Sequence, residues 1–277
     1  MSTENALLTI LTEKINNDTL VLPTLPAIAL KIRKAADDPD INLNKMGDVI
    51  AQDPSLSARI IKIANSAYLG RSVKVNSISQ AVTRIGLSQI KNISTALAME
   101  QLFVSKNELV KDYIKKAWDS TVDVVAYTLA ALQMYNAEKR SNLSLDTMTL
   151  AALVHNIGVL PILTEAERHE DVFANPTFLN VAMQKLSGPI GGKIMESWEF
   201  ENTFKDVAEN WRDLSVTKDK VSYLDFVRLG AVLAGSFASQ KDAVINICQQ
   251  KGIVKDVNAL SSDEFMEMRD VAKLIFA

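Results

Sequence analysis

This sequence predicts an all-α fold, and three observations carry that expectation. Apolar residues recur at helical spacing along nearly the whole chain, alternating strand-like runs are scarce, and the stretch from Leu109 to Ala137 contains neither Gly nor Pro. With 277 residues, 48% of them hydrophobic, the chain can bury one large core or two abutting ones.

The elements follow in order. Residues 1–19 are expected to hold an N-terminal helix. Asp53-Pro54 offers a side-chain cap followed by proline at the first helical position, and Leu56, Ile60, Ile63 and Ala67 then share one stripe. That helix should end at Asn65-Ser66-Ala67-Tyr68-Leu69-Gly70, where asparagine or glycine can take the left-handed conformation. Ser77-Ile78-Ser79-Gln80 has the capping-box pattern, and the helix it opens should bury Ala81, Val82 and Ile85 and stop at Gly86. Ser88 begins the next, with Ile90, Ile93, Leu97 and Phe103 facing inward. The longest helix is expected over 109–137, with Ile114, Ala117, Thr121, Val125, Leu129 and Leu132 on one face. The polar stretch Glu138–Asn142 should turn the chain. Ser144 or Asp146 caps a helix that runs to Ile157 and stops at Gly158, with Met148, Ala151, Ala152 and His155 on one side. Later helices are expected near 176–186, 190–198, 201–213, 221–239 and 256–276, the first two separated by a Gly188–Gly192 loop.

Composition excludes several function classes. The formal net charge is -3 and no run of five or six basic residues occurs, so nucleic acid is not expected as a partner. No cationic stretch precedes an apolar core at Met1, and no segment approaches eighteen uninterrupted apolar residues, so no membrane association and a cytoplasmic location are expected. A lone cysteine, Cys248, cannot form an intramolecular disulfide and reads as a small core residue.

The donor inventory is the most informative feature. Only two histidines, His155 and His169, and one thiol are available, whereas a catalytic zinc site takes three His, Cys or carboxylate ligands and a two-metal hydrolase more. Asp38, Asp40 and Asn42 imitate the opening of a calcium loop, but Leu43 stands where the turn needs glycine and Val49 where it needs glutamate. Gly188 to Lys193 has the wrong glycine spacing for a phosphate loop, and Ile194 follows where Ser or Thr is required. Glycines that let helices approach closely explain that segment instead. The nine methionines read as core filler, and no nucleophile elbow, Cys-His pair or carboxylate dyad is recognisable.

Leu22-Pro23-Thr24-Leu25-Pro26, Asp53-Pro54-Ser55-Leu56-Ser57-Ala58-Arg59, Ile63-Ala64-Asn65-Ser66-Ala67-Tyr68-Leu69-Gly70, and Ile78 to Val82 with Ile85-Gly86-Leu87 resemble, in order, the successive signatures of the HDOD domain. HDOD is a signalling output domain of bacteria related to metal-dependent His-Asp phosphohydrolases. The resemblance implies a multi-helix HDOD architecture over 20–216, with an N-terminal helical half at 20–105 packed on a phosphohydrolase-like helical core at 106–216. Residues 217–277 depart from the signatures and read as a helical extension. The family-motif positions are Pro23, Pro26, Asp53, Pro54, Arg59, Asn65, Ser66 and Gly86.

Within the second half, Leu153-Val154-His155-Asn156-Ile157-Gly158 resembles the His-Asp helix with an amide in place of the aspartate. Trp118-Asp119-Ser120 resembles the Trp-x-His segment, with Ser120 at the histidine position. Gly192 to Trp198 resembles the Gly-to-Trp helix, which sets a family histidine at Gly188, and Asn210-Trp211 falls where a His-His pair occurs. The resemblance therefore implies a vestigial site at Ser120, His155, Asn156, Gly188 and Asn210, with no catalytic residue, no metal and no cofactor. It further implies a noncatalytic signal-transduction module that binds a signalling protein or a small phosphorylated ligand. Two alternatives stay open: a residual metal-dependent phosphohydrolase, and a sensor of cyclic dinucleotides or alarmones in the vestigial pocket. Read from the residues alone, His155 is a hydrogen-bonded core histidine, Asn65-Ser66 a helix terminus and Asp53 a cap.

Overall fold

The structure is a computed structural model that describes residues 3–66, 73–139, 141–168, 176–274 and 276. The end of the third signature (Ala67, Tyr68, Leu69 and Gly70), Arg140 of the polar turn, and His169 lie outside the described residues. Among the described residues there is no strand.

Helix α1 (Thr3–Asn16), which packs on the later helix at Pro176–Ser197, precedes five short helices: α2 (Ala27–Ala36), α3 (Leu43–Ile50), α4 (Pro54–Ala64), α5 (Ile78–Ile85) and α6 (Leu87–Ala98). Local chemistry sets their ends. Asn42, in the rejected calcium loop, caps α3 by accepting from Lys45 N at 3.0 Å, and Asp53 caps α4 by accepting from Leu56 N at 3.0 Å with Pro54 at the first position. Ser77 accepts from Gln80 N at 3.3 Å while Gln80 Oε1 accepts from Asn76 N at 3.0 Å, so the capping box closes one residue early. Gly86, at φ 94°, ends α5 and lets α6 start at once.

The second half is built on α7 (Glu108–Glu138), the long helix, whose inner face buries Ile114, Thr121, Val125, Leu129 and Leu132. Against it lie α8 (Leu145–Val154) and α9 (Val159–Arg168), while α10 (Pro176–Ser197) packs on α9 and on α11 (Asn202–Asn210), which in turn lies against α8. Every residue of α8 from Met148 to Val154 is buried, and this helix packs on α6, α7 and α11. The segment Leu145–Arg168 is apolar enough by composition to cross a membrane, yet 83% of its apolar window is buried inside this domain. The halves are stitched by Asn92 Nδ2 donating to Asp146 at 2.8 Å, by the Trp198 indole donating to the Pro23 carbonyl at 2.9 Å, and by Arg33 lying 4.0 Å over the Phe200 ring.

Beyond residue 216 come α12 (Tyr223–Leu233), α13 (Lys241–Gln250) and α14 (Asp263–Lys273), with short 3-10 turns at Ala238–Gln240 and Val257–Ser261. They are not peripheral. Helix α12 crosses α7 with Gly230 seated against it, where a Cβ would stand 2.8 Å from the Val124 carbonyl. Helix α14 lies along α7 through a Tyr127–Phe265 stack at 6.2 Å and a Lys273–Asp123 ion pair at 2.5 Å.

Several expected boundaries move. The helix expected to run to Ile157 stops at Val154, residues 155–158 form a turn, and α9 resumes at Val159. The two helices expected around Gly188 are one, α10, which carries Pro189 inside it. The glycines serve close helix approach, as their spacing predicts, but without a loop: a Cβ at Gly188 would fall 2.5 Å from the Glu209 carbonyl and one at Gly191 3.0 Å from that of Ala208. The helix expected over 221–239 ends at Leu233, followed by a turn at Gly235 with φ 82°, and that over 256–276 divides into a 3-10 turn and α14.

Candidate functional site

The motif residues of the N-terminal half are engaged in holding it together. Asn65 closes the loop after α4, its amide donating to the Val75 carbonyl and its oxygen accepting from Val75 N, both at 2.8 Å. Ser66 Oγ donates to the Ile63 carbonyl at 2.7 Å. Arg59 reaches the Leu97 carbonyl at 3.2 Å and pairs with Glu100, so α4 is anchored to the end of α6. Pro23 accepts from Trp198, and Pro26 begins α2 with a backbone already set for an N-cap.

Of the second-half positions, His155 and Asn156 lie in the 155–158 turn, which packs against Ser187, the neighbour of Gly188. His155 is 1% exposed. Its Nδ1 lies 2.5 Å from the Ala152 carbonyl, and the ring meets Trp211 edge-on with centroids 4.7 Å apart. Burial, the largest influence, overcomes the Ala152 hydrogen bond and, with the nearby positive charge of Arg212, pushes the imidazole pKa down to about 3. At neutral pH the ring is therefore uncharged, with Nδ1–H donated to the carbonyl.

Trp211 is wholly buried and packs beside that ring, with the Phe237 ring 5.7 Å from it and the Arg212 guanidinium 3.9 Å over it. Ser120, on α7, pairs its hydroxyl with Ser236 at 2.7 Å, next to Phe237. Gly158 sits against the Ser187 carbonyl and the Gly191 amide, the latter 2.7 Å from where a Cβ would stand. Gly188 is pressed on Glu209. Asn210 departs from the expected cluster: its amide donates to Asp206 at 3.1 Å, and it lines an open polar groove of about 460 Å³ with Asn202, Lys205, Glu209 and Lys218. The residue of that pair which meets His155 is Trp211, an outcome of helix phase.

Sequence reading missed what fixes Trp211. Arg228 of α12, 2% exposed, donates to the carbonyls of Trp211 at 3.3 Å, Val216 at 2.9 Å, Asn210 at 2.8 Å and Asp213. One guanidinium from the extension thus gathers the free carbonyls at the end of α11. An arginine in an apolar helical run, Phe226-Val227-Arg228-Leu229, was the available signal. Arg212 carried none, since between Trp211 and Asp213 it reads as an ordinary solvated helix end.

Chemically, the ring nitrogen nearest a protein partner is already committed, the neighbouring side chain is an amide, and the Gly188 position has no room for a side chain in this packing. Among the described residues no three His, Cys, Asp or Glu side chains lie together as a metal ligand set.

A sequence profile of the HDOD domain matches residues 22–213. The chain is 41% identical to a Shewanella amazonensis SB2B protein with the provisional name metal-dependent phosphohydrolase; its crystal structure superposes with a TM-score of 0.95 over 100% of both chains. An HDOD domain protein with unknown function from Geobacter sulfurreducens has the same fold at 18% identity, TM-score 0.62, over 98% of this chain and 99% of that one. A Treponema pallidum (strain Nichols) protein, named only as uncharacterized, is 26% identical over 188 residues, which is 64% of this chain and 35% of that protein. The chain thus spans about a third of that relative's length. With its profile match and its helical architecture in agreement, this chain belongs to the HDOD domain family.

Proposed function

We propose that this chain is a noncatalytic regulatory module of bacterial signal transduction, working in the cytoplasm by binding a protein partner or a small ligand and passing on a state change. The observation that carries the reading is the state of His155, neutral, hydrogen-bonded to the Ala152 carbonyl and walled by Trp211. A hydrolytic centre of this superfamily would need that imidazole as a metal ligand, with carboxylates and further histidines to share the ion. Asn156 offers an uncharged amide instead, and Gly188 and Ser120 offer no imidazole. Cys248, whose thiol burial pushes up to about 12, is held inert as a thiol, in keeping with a reducing compartment.

A second reading is favoured by one observation, the 41% identity and full-length match to a protein named for metal-dependent phosphohydrolysis. Purified chain incubated with Mn²⁺, Mg²⁺ or Zn²⁺ and a panel of phosphomonoesters, cyclic dinucleotides and guanosine polyphosphates decides between them. The regulatory reading expects no turnover above that of a His155→Ala control. Turnover that needs metal and disappears in His155→Ala establishes the hydrolase instead.

A further inference from the structure

A cleft with apolar walls opens where three segments meet: Val21–Pro23 after α1, the Leu102–Val104 link into α7, and α9. The buried side chains of Ile114, Leu160 and Pro161 form its base. Its lips stand in solvent, with Val21 52% and Val104 73% exposed. The cleft measures about 130 Å³. Sites for cofactors and other small molecules enclose about 300–1,000 Å³ and a water takes about 30 Å³, so there is room for one large side chain and not for a nucleotide.

The backbone beside the cleft selects the carrier of that side chain. Val21 and Leu22 lie in a stretch without secondary structure, and Leu22 precedes Pro23, which biases it to extended backbone. Among the described residues neither Val21 nor Leu22 gives or accepts a main-chain hydrogen bond. The Pro23 carbonyl, by contrast, is taken by the Trp198 indole at 2.9 Å, so the stretch is held in place while the peptide groups ahead of it stay open. Extended peptides dock on such unpaired main-chain groups, and a notch for one side chain sets which sequence is accepted.

The polar end of the cleft adds a charge preference. Thr164 spends its hydroxyl on the Leu160 carbonyl at 3.0 Å, which leaves Glu167 as the polar lining group able to meet an occupant. Glu167 is half-buried and accepts from the Ser105 hydroxyl, and among the described residues no cation pairs with it. The cations Lys14 and Arg168 both go to its neighbour Glu165, a carboxylate 1% exposed, Arg168 at 2.9 Å. A half-buried carboxylate beside apolar walls favours a basic group on whatever docks there.

We propose that this cleft docks an extended peptide segment of a partner protein, which pairs its main chain with Val21 and Leu22, seats one large aliphatic side chain over Ile114 and Leu160, and sets a Lys or Arg against Glu167. This rests on the reading of the chain as a binding module, and it names the chemistry of the partner and the surface that receives it.

Selection of a displayed library of random dodecapeptides on the full chain tests it, followed by fluorescence anisotropy of the enriched peptides. Those peptides are expected to share a Leu, Ile or Met with a Lys or Arg close by in sequence. Their binding should fall tenfold or more in Val104→Asp, a surface change that leaves the core intact, and severalfold in Glu167→Gln, the second loss shrinking at high salt. Methylating the peptide nitrogens one at a time should abolish binding at some positions and spare others, as main-chain pairing requires. No enrichment, an affinity unchanged in Val104→Asp, or tolerance of methylation at every position overturns the docking site. So does equal binding of leucine amide alone, or a dimer of the chain that Val104→Asp dissociates, which would make a small apolar ligand or a second copy the occupant. Metal-dependent hydrolysis by the same protein would instead overturn the noncatalytic reading and leave the peptide result standing.

Discussion

The two halves of this domain treat their polar groups differently. In the N-terminal half the motif side chains are hydrogen-bonded: Asp53 caps α4, Asn65 closes the following loop with two bonds, and Arg59 reaches α6. Around His155 more buried polar atoms go without partners. Of the seven buried side-chain polar atoms without a hydrogen-bond partner among the described residues, four belong to Asn156, Ser187, Trp211 and Arg212, against two, Arg33 Nη1 and Ser94 Oγ, in the N-terminal half. Buried polar atoms are paired in the great majority of cases, so a group of unpaired ones stands out. The contrast separates a scaffold, whose signatures maintain geometry, from the packing around His155, where polar atoms are buried without partners among the described residues.

The comparison can be broken most forcefully at Arg228. Replacing it with Met leaves the carbonyls of Asn210, Trp211, Asp213 and Val216 without their shared donor, and a loss of about 4 kcal/mol is expected by urea denaturation. A red shift of Trp211 emission should accompany it. An effect below about 1 kcal/mol would show that the extension does not hold the site. Gly158→Ala comes next, since its methyl group would be driven into the backbone of α10; a loss of about 3 kcal/mol is expected in the same assay.

His155 gives a pH signature. Its folded pKa of about 3 lies below the ordinary value of 6.5, so the unfolded chain binds the extra proton between these limits. Stability is complete above pH 6.5 and falls as pH drops toward about 3, at up to about 1.4 kcal/mol per pH unit from this group. Melting curves of His155→Gln should lose that part of the slope; an unchanged slope assigns it to other groups. The scaffold gives the smaller effects. Asn65→Ala should cost about 2 kcal/mol through its two bonds to Val75, and Asp53→Ala about 1 kcal/mol as a lost cap, with the His155 environment unchanged by indole fluorescence.

Much of the scaffold was legible because its determinants are local. A cap, a proline at the first turn and an apolar stripe act within one helix, which is why Asp53-Pro54, Gly86 and the long α7 stand where their patterns place them. The burial of His155 also followed from the stripe it shares with Ala151 and Ala152. What failed depended on partners distant in sequence. Pro189 stays inside a continuous helix, in the stretch where Gly188, Gly191 and Gly192 nest against α11. Arg228 acts on a helix end 12 to 18 residues before it, and Phe237 reaches Trp211 after a turn. Asn210 lines a groove while its neighbour meets His155, a distinction of helix phase that family spacing does not resolve.

The central claim, that this site does not serve as a metal centre, is tested most directly by elemental analysis of protein purified without chelators and dialysed after exposure to Mn²⁺, Fe²⁺ and Zn²⁺. Metal well below one equivalent per chain is expected, with no difference between wild type and His155→Ala. One or two equivalents retained by the wild type and lost with His155 would contradict it.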